Sequence, residues 1–300
     1  MKPGFARSAV RLTLAAVFAA ALAGCQDAQA PSAAPTATFT PEPTPVARTY
    51  ELGTQVWYEG LILTFDRVTS TLDARGGLVD VLVGVQNPGE EAAAPSGPIT
   101  LVVDEQRIEP TRDSRIPEAP GKGSVATVLT FELQAIPSID DAIIEVGSSP
   151  LHVARIPLTP SAGSPLVLEP MVLELKGAAT ASTLRITLRG GLLRWDLPDW
   201  NQELDAKLQA LTLTYDVTYT GDFAGGLAFT GENVALRLPD GTVIVARRDG
   251  HSQSVELVGP RKTKKNLFSR FEIPAGVTGR FALLVRSSGT EKAITFAIGG

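Results

Sequence analysis

Five stretches in the first half of this 300-residue chain recur in the second half in the same order. The matched pairs are Leu61–Phe65 with Leu184–Leu188, Leu78–Pro88 with Leu211–Gly221, Ile99–Asp113 with Val234–Asp249, Phe131–Leu133 with Phe271–Ile273, and Asp141–Val146 with Arg280–Val285. The offset grows from 123 residues at the first pair to about 140 at the last. Ordered self-similarity of this kind indicates a duplicated structural unit.

Each copy has the pattern of β-strands. Leu211–Tyr219 alternates apolar and polar residues with period two, which is typical of a half-buried strand. Pro239–Gly241 lies between two strand-like runs and predicts a tight hairpin turn. A Pro/Gly/Ser break at Thr159–Pro165 separates the copies. The sequence therefore predicts an all-β fold of two tandem β-sandwiches, over residues 49–160 and 161–300.

One segment departs from the strand pattern. Asp199–Leu208 predicts a helix, because Asp199 can cap its first amides and the apolar residues Trp200, Leu204 and Leu208 share one face. Such a helix would either close the open end of the second sandwich or form a binding element. The second alternative makes Trp195 and Trp200 candidates for a partner contact, since aromatic residues dominate binding hot spots.

The amino terminus has the features of an export signal. Lys2, Arg7 and Arg11 precede an uncharged apolar run, Leu12–Leu22, which is too short to span a bilayer as a mature helix. The run ends in Leu22-Ala23-Gly24-Cys25, which resembles the bacterial lipoprotein signal. That resemblance implies cleavage between Gly24 and Cys25 and a diacylglyceryl group on the Cys25 thiol. The alternative is an ordinary signal peptide, but Cys25 is the only cysteine and has no disulfide partner within the chain.

Residues 25–48 separate this signal from the first copy. The segment is rich in Ala, Thr and Pro and holds almost no bulky apolar residue, so it cannot bury enough surface to fold. We expect a disordered tether that reaches roughly 70 Å, at about 3.1 Å per residue. A passive spacer is the simpler interpretation, and a proline-rich ligand is the alternative.

The signal, the tether and the repeated strand–turn–strand unit together resemble one class of protein. These are the bacterial lipoproteins that carry immunoglobulin-like extracellular β-sandwich domains of unknown function. The residues that carry the resemblance are Leu22–Cys25 and, in the first copy, Val79–Gly89. The resemblance implies tandem immunoglobulin-like sandwiches and brings no catalytic residue with it.

Composition excludes some functions. The formal charge is −5, and it becomes −8 once residues 1–24 are removed with their three cations, which argues against nucleic-acid binding. No nucleophile elbow, zinc spacing or calcium loop occurs in the sequence, so we expect no catalytic residue, no metal and no cofactor. The two histidines, His152 and His251, lie at unrelated places in the two copies.

A cluster of positive charge stands out on this acidic chain. Its members are Arg247, Arg248, Arg261, Lys262, Lys264, Lys265 and Arg270, with only Asp249 and Glu256 as acids between them. One interpretation is a solvated loop between strands. The other is contact with an anionic surface, either phospholipid headgroups or an acidic envelope polymer, centred on Arg261, Lys262, Lys264 and Lys265.

The sequence predicts a non-enzymatic binding or scaffold module, held by lipid on the extracytoplasmic side of the cell membrane. Its expected partners are the membrane through the anchor and a protein or anionic polymer. Two alternatives stay open: an envelope enzyme that acts on glycan through paired carboxylates, and electrostatic docking through the basic cluster.

Overall fold

The structure, a computed structural model, describes residues 44–136, 138–247 and 255–299. Within these ranges the regular structure is antiparallel strand, apart from three short 3₁₀ helices at Pro160–Ala162, Pro198–Trp200 and Gly231–Asn233. None of the helices in the described ranges is long and apolar enough to cross a membrane. The predicted all-β fold is confirmed. Gly24, Cys25, Arg248 and His251 lie outside the described residues.

Eight strands form the first half of the described chain. They are β1 (Val46–Tyr58), β2 (Leu61–Asp73), β3 (Gly76–Gln86), β4 (Ile99–Val103), β5 (Gln106–Ile108), β6 (Ser124–Gln134), β7 (Ile143–Val146) and β8 (Ala154–Pro157). Two four-stranded sheets result, with the orders β1-β2-β3-β6 and β5-β4-β7-β8. Strand β1 begins at Val46, inside the predicted tether, because Val46, Ala47 and Arg48 already pair with β2.

Thirteen strands form the second half. They are β9 (Met171–Leu173), β10 (Gly177–Ala181), β11 (Leu184–Arg194), β12 (Asp196–Leu197), β13 (Gln202–Glu203), β14 (Leu208–Tyr219), β15 (Leu227–Thr230), β16 (Val234–Arg237), β17 (Val243–Val245), β18 (Val255–Val258), β19 (Thr263–Pro274), β20 (Gly279–Ser287) and β21 (Thr290–Ile298). The main sheets have the orders β10-β11-β14-β19, with β9 also on β11, and β17-β16-β20-β21. Strands β12 and β13 pair as one ribbon, and β15 and β18 as another.

The two halves share one topology. The strands of the second half that correspond to β1–β8, in order, are β10, β11, β14, β16, β17, β19, β20 and β21. In each half, the first, second, third and sixth of these strands form one sheet, and the fifth, fourth, seventh and eighth form the other. The loop after the fifth strand also meets the sixth in the same way, because Thr111 N donates to Thr130 O and Arg247 N donates to Arg270 O. All five matched sequence pairs fall on equivalent strands, as far as the described residues extend.

The register of one matched pair differs from the sequence alignment. Phe65 pairs with Val83 and Leu188 pairs with Tyr215, so β3 and β14 correspond at an offset of 132 residues. The sequence alignment of Leu78 with Leu211 assumed an offset of 133 residues and was wrong by one residue. A shift of one residue exchanges the two faces of a strand. Accordingly, Leu78 is 46% exposed while the neighbouring Val79 is buried.

Each half has its own apolar core. The first cluster of buried residues runs from Val56 to Leu168, and the second runs from Leu175 to Ile298. Residues that follow the predicted break still belong to the first half, since Trp57 N donates to Val167 O and Arg155 pairs with Leu166. The change from one core to the other therefore falls between Leu168 and Leu175. From Pro43 to Gly300 the chain is nonetheless one compact unit.

The predicted hairpin at Pro239–Gly241 is confirmed. Strands β16 and β17 pair on either side of it, and Leu238 N donates to Thr242 O. Gly241 adopts a φ of 90°, a conformation that residues with a Cβ seldom reach.

The predicted helix at Asp199–Leu208 was wrong. A single 3₁₀ turn ends at Asn201, which adopts a left-handed φ of 44°, and β13 then folds back on β12. The reason lies outside the segment. The β12–β13 hairpin buries Leu204, and it brings the Glu203 carboxyl into a hydrogen bond with the first half. Asp199 does not cap a helix, and its carboxylate instead lies 3.2 Å from Arg270 Nη2.

Candidate functional site at the junction of the two sandwiches

The turn between β1 and β2 is the part of the first half that enters the junction. Glu59 and Gly60 form a two-residue loop, with φ values of 50° and 81°. Positive φ at both positions is typical of a type I′ turn, whose twist matches that of the two paired strands. The Glu59 side chain is buried and accepts hydrogen bonds from Ser96 N at 2.5 Å and Ser96 Oγ at 2.7 Å. The Glu59 side chain is therefore held within the first half.

The β12–β13 hairpin of the second half receives the two main-chain amides of this turn. Asp196 Oδ2 accepts from Gly60 N at 2.6 Å, and Glu203 Oε2 accepts from Glu59 N at 3.1 Å. Asp196 also accepts two hydrogen bonds from Arg194, at 2.6 and 2.9 Å. Both carboxylates are almost fully buried. Two acidic side chains of one sandwich thus hold the turn of the other through its main chain.

Burial sets the protonation state of this cluster. Desolvation, with further contributions from the nearby charges of Asp196 and Glu59, raises the pKa of the Glu203 carboxyl to about 9. The Glu59 amide and Arg194 oppose this shift without reversing it. Burial likewise raises the pKa of the Tyr58 phenol above its ordinary value. At neutral pH Glu203 is therefore a neutral acid.

Two buried atoms at the junction lack a hydrogen-bond partner among the described residues. They are Tyr58 Oη and Glu203 Oε1. The surrounding backbone is tightly packed against the phenol: a Cβ added at Gly97 or Gly147 would lie 2.4 or 2.5 Å from Tyr58 Oη. The junction is thus filled around Tyr58, and beside it a cavity of about 450 Å³ is lined by Gly60 of the first half and by Arg194 and Pro198 of the second. Its two acids hold the turn, because Asp196 Oδ2 and Glu203 Oε2 each accept a hydrogen bond from a backbone amide of the first half.

Aromatic packing extends the junction on its other side. Trp195 packs against the first core, and its ring meets the edge of the His152 ring at 6.4 Å between centroids. His152 Nε2 lies 2.9 Å from Leu208 O, and His152 N donates to Leu204 O. Trp195 therefore makes these contacts within the chain, and His152 is buried between the two halves.

Trp200 has a different environment. It is 39% exposed, and the Arg270 guanidinium lies 5.5 Å from the centre of its ring. Arg270 is itself buried and also contacts Asp199. The prediction of a partner contact at Trp200 stays a prediction.

The four cations that the sequence singled out form what we call the basic row: Arg261, Lys262, Lys264 and Lys265. All are exposed, and they lie in the turn before β19 and at its start. Arg261 Nε is 2.6 Å from Asp222 Oδ1, and Lys264 Nζ is 3.3 Å from Glu256 Oε2. Arg247 lies apart from the row and pairs with Glu272.

Lys265 lies close enough to Asp216 to favour its ionised form. Partial desolvation alone would raise the pKa of the Asp216 carboxyl. The hydrogen bonds from Arg189 and from the Asn266 amide, together with the charges of Arg189 and Lys265, outweigh this and hold the pKa below its ordinary value. Asp216 occupies a bulge between β14 and β19, where its carboxylate holds the irregular backbone.

Sequence reasoning missed the residues that build the junction. Glu59 and Gly60 carried a usable signal, because they stand between two strand-like runs and glycine favours a tight turn. Asp196 and Glu203 carried none, since nothing local distinguishes a buried acid from a surface one. In the described part of the chain, no cluster of three or more His, Cys, Asp or Glu side chains is arranged to hold a metal ion.

Comparison with known proteins identifies no family. No protein-family model matches this chain, and no curated protein matches it. One solved structure, described as the conserved domain protein from Bacillus anthracis, aligns over 83% of this chain and 90% of its own, at 10% identity. The TM-score of that alignment is 0.25, which is too low to support an argument about fold or function.

Proposed function

We propose that this chain is a non-enzymatic binding or scaffold module, built from two immunoglobulin-like sandwiches and held by lipid on the extracytoplasmic side of a membrane. The observation that carries the proposal is the use made of the buried acids. Asp196 and Glu203 are bonded to the amides of Gly60 and Glu59, so they join two modules instead of facing a substrate.

The lipid anchor in this proposal rests on sequence. Leu22–Cys25 ends an apolar run of signal-peptide length, and the chain contains no second cysteine. Two or more acyl chains on Cys25 give stable anchoring, since each buried methylene contributes about 0.8 kcal/mol. The tether that follows would then separate the folded module from the lipid.

The junction supports a scaffold role because it couples the sandwiches mechanically. Besides the acid–amide bonds, main-chain hydrogen bonds cross it from Ala206 N to Pro150 O and from His152 N to Leu204 O. A partner bound to one sandwich would therefore be held in a fixed relation to the other. Separate domains on a free linker could not provide this.

The anchor is tested on the full chain in a bacterial host, with Cys25→Ala as the matched control. We expect the wild-type protein to gain the mass of a diacylglyceryl group, to stay with membranes through a high-salt wash and to be released by detergent. The control should show neither the mass nor the detergent-dependent release. An unmodified Cys25 thiol in the wild-type protein would refute the anchor.

The binding role is tested by crosslinking in intact cells, followed by mass spectrometry of the captured molecules. We expect a defined partner whose crosslinks map to one sandwich. The purified protein should also leave envelope glycan intact. Hydrolysis of glycan that disappears when a single Asp or Glu of the folded module is replaced would overturn the non-enzymatic proposal.

A further inference from the structure

The first sandwich contains a cavity of about 490 Å³. One wall comes from residues 95–99, which lead into β4, and the other comes from residues 109–116, the loop that follows β5. Leu129 of β6, a member of the first core, also lines it. A volume of this size is typical of sites for small organic molecules.

Hydrogen bonds hold the loop after β5 on the edge of β6. Thr111 N donates to Thr130 O at 2.8 Å, and Ser114 Oγ accepts from Thr130 N at 2.6 Å. Further along the loop, Arg115 O accepts from Thr127 Oγ1 at 3.2 Å. The loop therefore covers this edge of the sheet with its own polar groups, and its wall of the cavity is formed without a ligand.

The opposite wall is fixed to the junction of the two sandwiches. Ser96 N and Ser96 Oγ donate to the Glu59 carboxylate at 2.5 and 2.7 Å, and Glu59 N donates in turn to Glu203 Oε2. Pro98 O accepts from Gly147 N at 2.8 Å. Both walls are thus held in place, so a ligand would not have to order them on binding.

Apolar side chains provide much of the lining. The apolar lining residues are Pro95, Pro98, Ile99, Pro110, Ile116 and Leu129. Ile99 belongs to the first core, and Ile116 packs against it. The prolines have no N–H to donate. The cavity therefore offers a ligand an apolar surface with few main-chain donors.

Two arginines give the cavity its positive charge. Arg112 and Arg115 line it and are exposed. Among the described residues, neither guanidinium has an ion-pair or hydrogen-bond partner. The amides of Thr111 and Ser114 are already bonded within the chain. The guanidinium groups are therefore charged donors that stay available to a ligand.

The cavity is locally positive on an acidic chain. Its charged lining residues are Arg112, Arg115 and Glu109, whereas the formal charge of the chain is −5. Asp113, between the two arginines in sequence, is exposed and is not one of the residues that line the cavity. An anionic group is therefore complementary to this lining.

We propose that this cavity binds a small organic anion, an apolar body that carries an acidic group. Arg112 and Arg115 would bind the acidic group through charge-assisted hydrogen bonds, and the body would cover Ile116 and the prolines. An inorganic anion would leave the apolar lining in water, and an uncharged molecule would make no use of the guanidinium groups. The inference deepens the proposed binding role and rests on it, since it names the ligand class of a module that binds without turnover.

The test uses the fragment Pro43–Gly300, which is one compact unit and contains both cores. Two fluorescent probes share the same rings: anilinonaphthalene sulfonate carries an acidic group, and phenylnaphthylamine does not. We expect saturable binding of the sulfonate and about tenfold weaker binding of the uncharged probe, because hydrogen bonds to charged groups are the stronger ones. Equal binding of the two probes, or no saturable binding of the sulfonate, would overturn the proposal.

A double variant tests the arginines. Arg112→Gln with Arg115→Gln should weaken binding of the sulfonate about tenfold and leave binding of phenylnaphthylamine unchanged. The control, Arg67→Gln with Arg185→Gln, removes the same charge from two exposed positions outside the lining. An equal loss in the two double variants would mean that general charge attracts the probe, and it would refute the site.

The apolar lining has its own pair of variants. Ile116→Ala should weaken binding of both probes about fivefold through lost apolar contact. Val128→Ala changes an exposed residue of β6 outside the lining and should leave both unchanged. Unchanged binding to a folded Ile116→Ala variant would place the probe elsewhere and refute the site. The arginine variants alter exposed side chains, so their result stands even if Ile116→Ala weakens the fold.

The outcome is separable from the proposed function. The lipid anchor is read from the mass of the full chain, and the partner is read from crosslinks in cells. Either can fail while the sulfonate still binds the cavity. Conversely, failure of the probe experiment removes the ligand class alone and leaves the anchor and the crosslinked partner in place.

Discussion

The Glu203 carboxyl of the second sandwich accepts a hydrogen bond from the main-chain amide of Glu59 in the first, at 3.1 Å. The two residues are 144 positions apart, and both are buried. Because the donor is a backbone amide, the contact does not require a particular side chain at position 59. It does require that the turn keep its conformation, with positive φ at Glu59 and Gly60.

The first prediction concerns pH. Burial raises the pKa of Glu203 from 4.5 to about 9, so the folded protein holds this proton more tightly than the unfolded chain. The contribution of Glu203 to the free energy of unfolding therefore falls as pH rises through this window. Glu203→Gln removes the titration. Between about pH 5 and about pH 8 the wild type should lose about 4 kcal/mol relative to the variant, at roughly 1.4 kcal/mol per pH unit.

Urea unfolding of both proteins at the two pH values measures this difference. All other titrating groups are common to the pair, so the change in the difference isolates Glu203. A constant difference between wild type and variant across the pH range would contradict a protonated Glu203.

The second prediction concerns the turn. Gly60→Ala places a Cβ 2.6 Å from Pro198 Cα at a φ of 81°, so it combines backbone strain with a collision across the junction. We expect a loss of about 3 kcal/mol or more in the free energy of unfolding.

Gly53→Ala is the matched control. It has a φ of 59° with no atom within 4 Å of the added Cβ, so it introduces strain alone, at about 1 kcal/mol. Equal losses for the two variants, measured by thermal or urea unfolding, would mean that Gly60 does not pack against the second sandwich.

The third prediction tests the register of the repeat. Val79 is buried in the first core and Leu78 faces solvent. Val79→Ala should therefore lower the free energy of unfolding by about 2 kcal/mol, through lost burial and a residual cavity. Leu78→Ala should change it by less than about 0.5 kcal/mol. If chemical denaturation showed a larger loss for Leu78→Ala than for Val79→Ala, the alignment of Leu78 with Leu211 would be restored.

The fourth prediction concerns the bulge at Asp216. Asp216→Asn removes a charge-assisted pair with Arg189 and should cost about 1 to 2 kcal/mol at neutral pH. Because the folded pKa is depressed, this stabilisation is present above the ordinary carboxyl range and is lost as pH falls through the folded pKa. Wild type and variant should thus converge in acid.

Asp222→Asn serves as the control for Asp216. It also breaks an Asp–Arg pair, but both partners are largely exposed, and such pairs contribute about 0 to 1 kcal/mol. Unfolding curves in which Asp222→Asn is as destabilised as Asp216→Asn would show that burial does not strengthen the Asp216 contact.

Part of the fold could be predicted because its cause is local. Alternation along Leu211–Tyr219 and the turn residues at Pro239–Gly241 depend on neighbours within a few positions, and the structure confirms both. The one-residue error at Leu78 shows the limit of this reasoning. Leu78 and Val79 are both apolar, so the pattern could not decide which of them faces the core.

The sequence by itself determined the all-β class, the duplicated order of strands and the place of the basic row, because periodicity, turn chemistry and charge are properties of short segments. Only the tertiary structure decided the junction. Asp199–Leu208 has the spacing of a helix, yet it folds as a hairpin because Glu203 and Leu204 are stabilised by groups of the other sandwich. A contact across 144 residues leaves no mark in local pattern, and here its free energy outweighs the local preference.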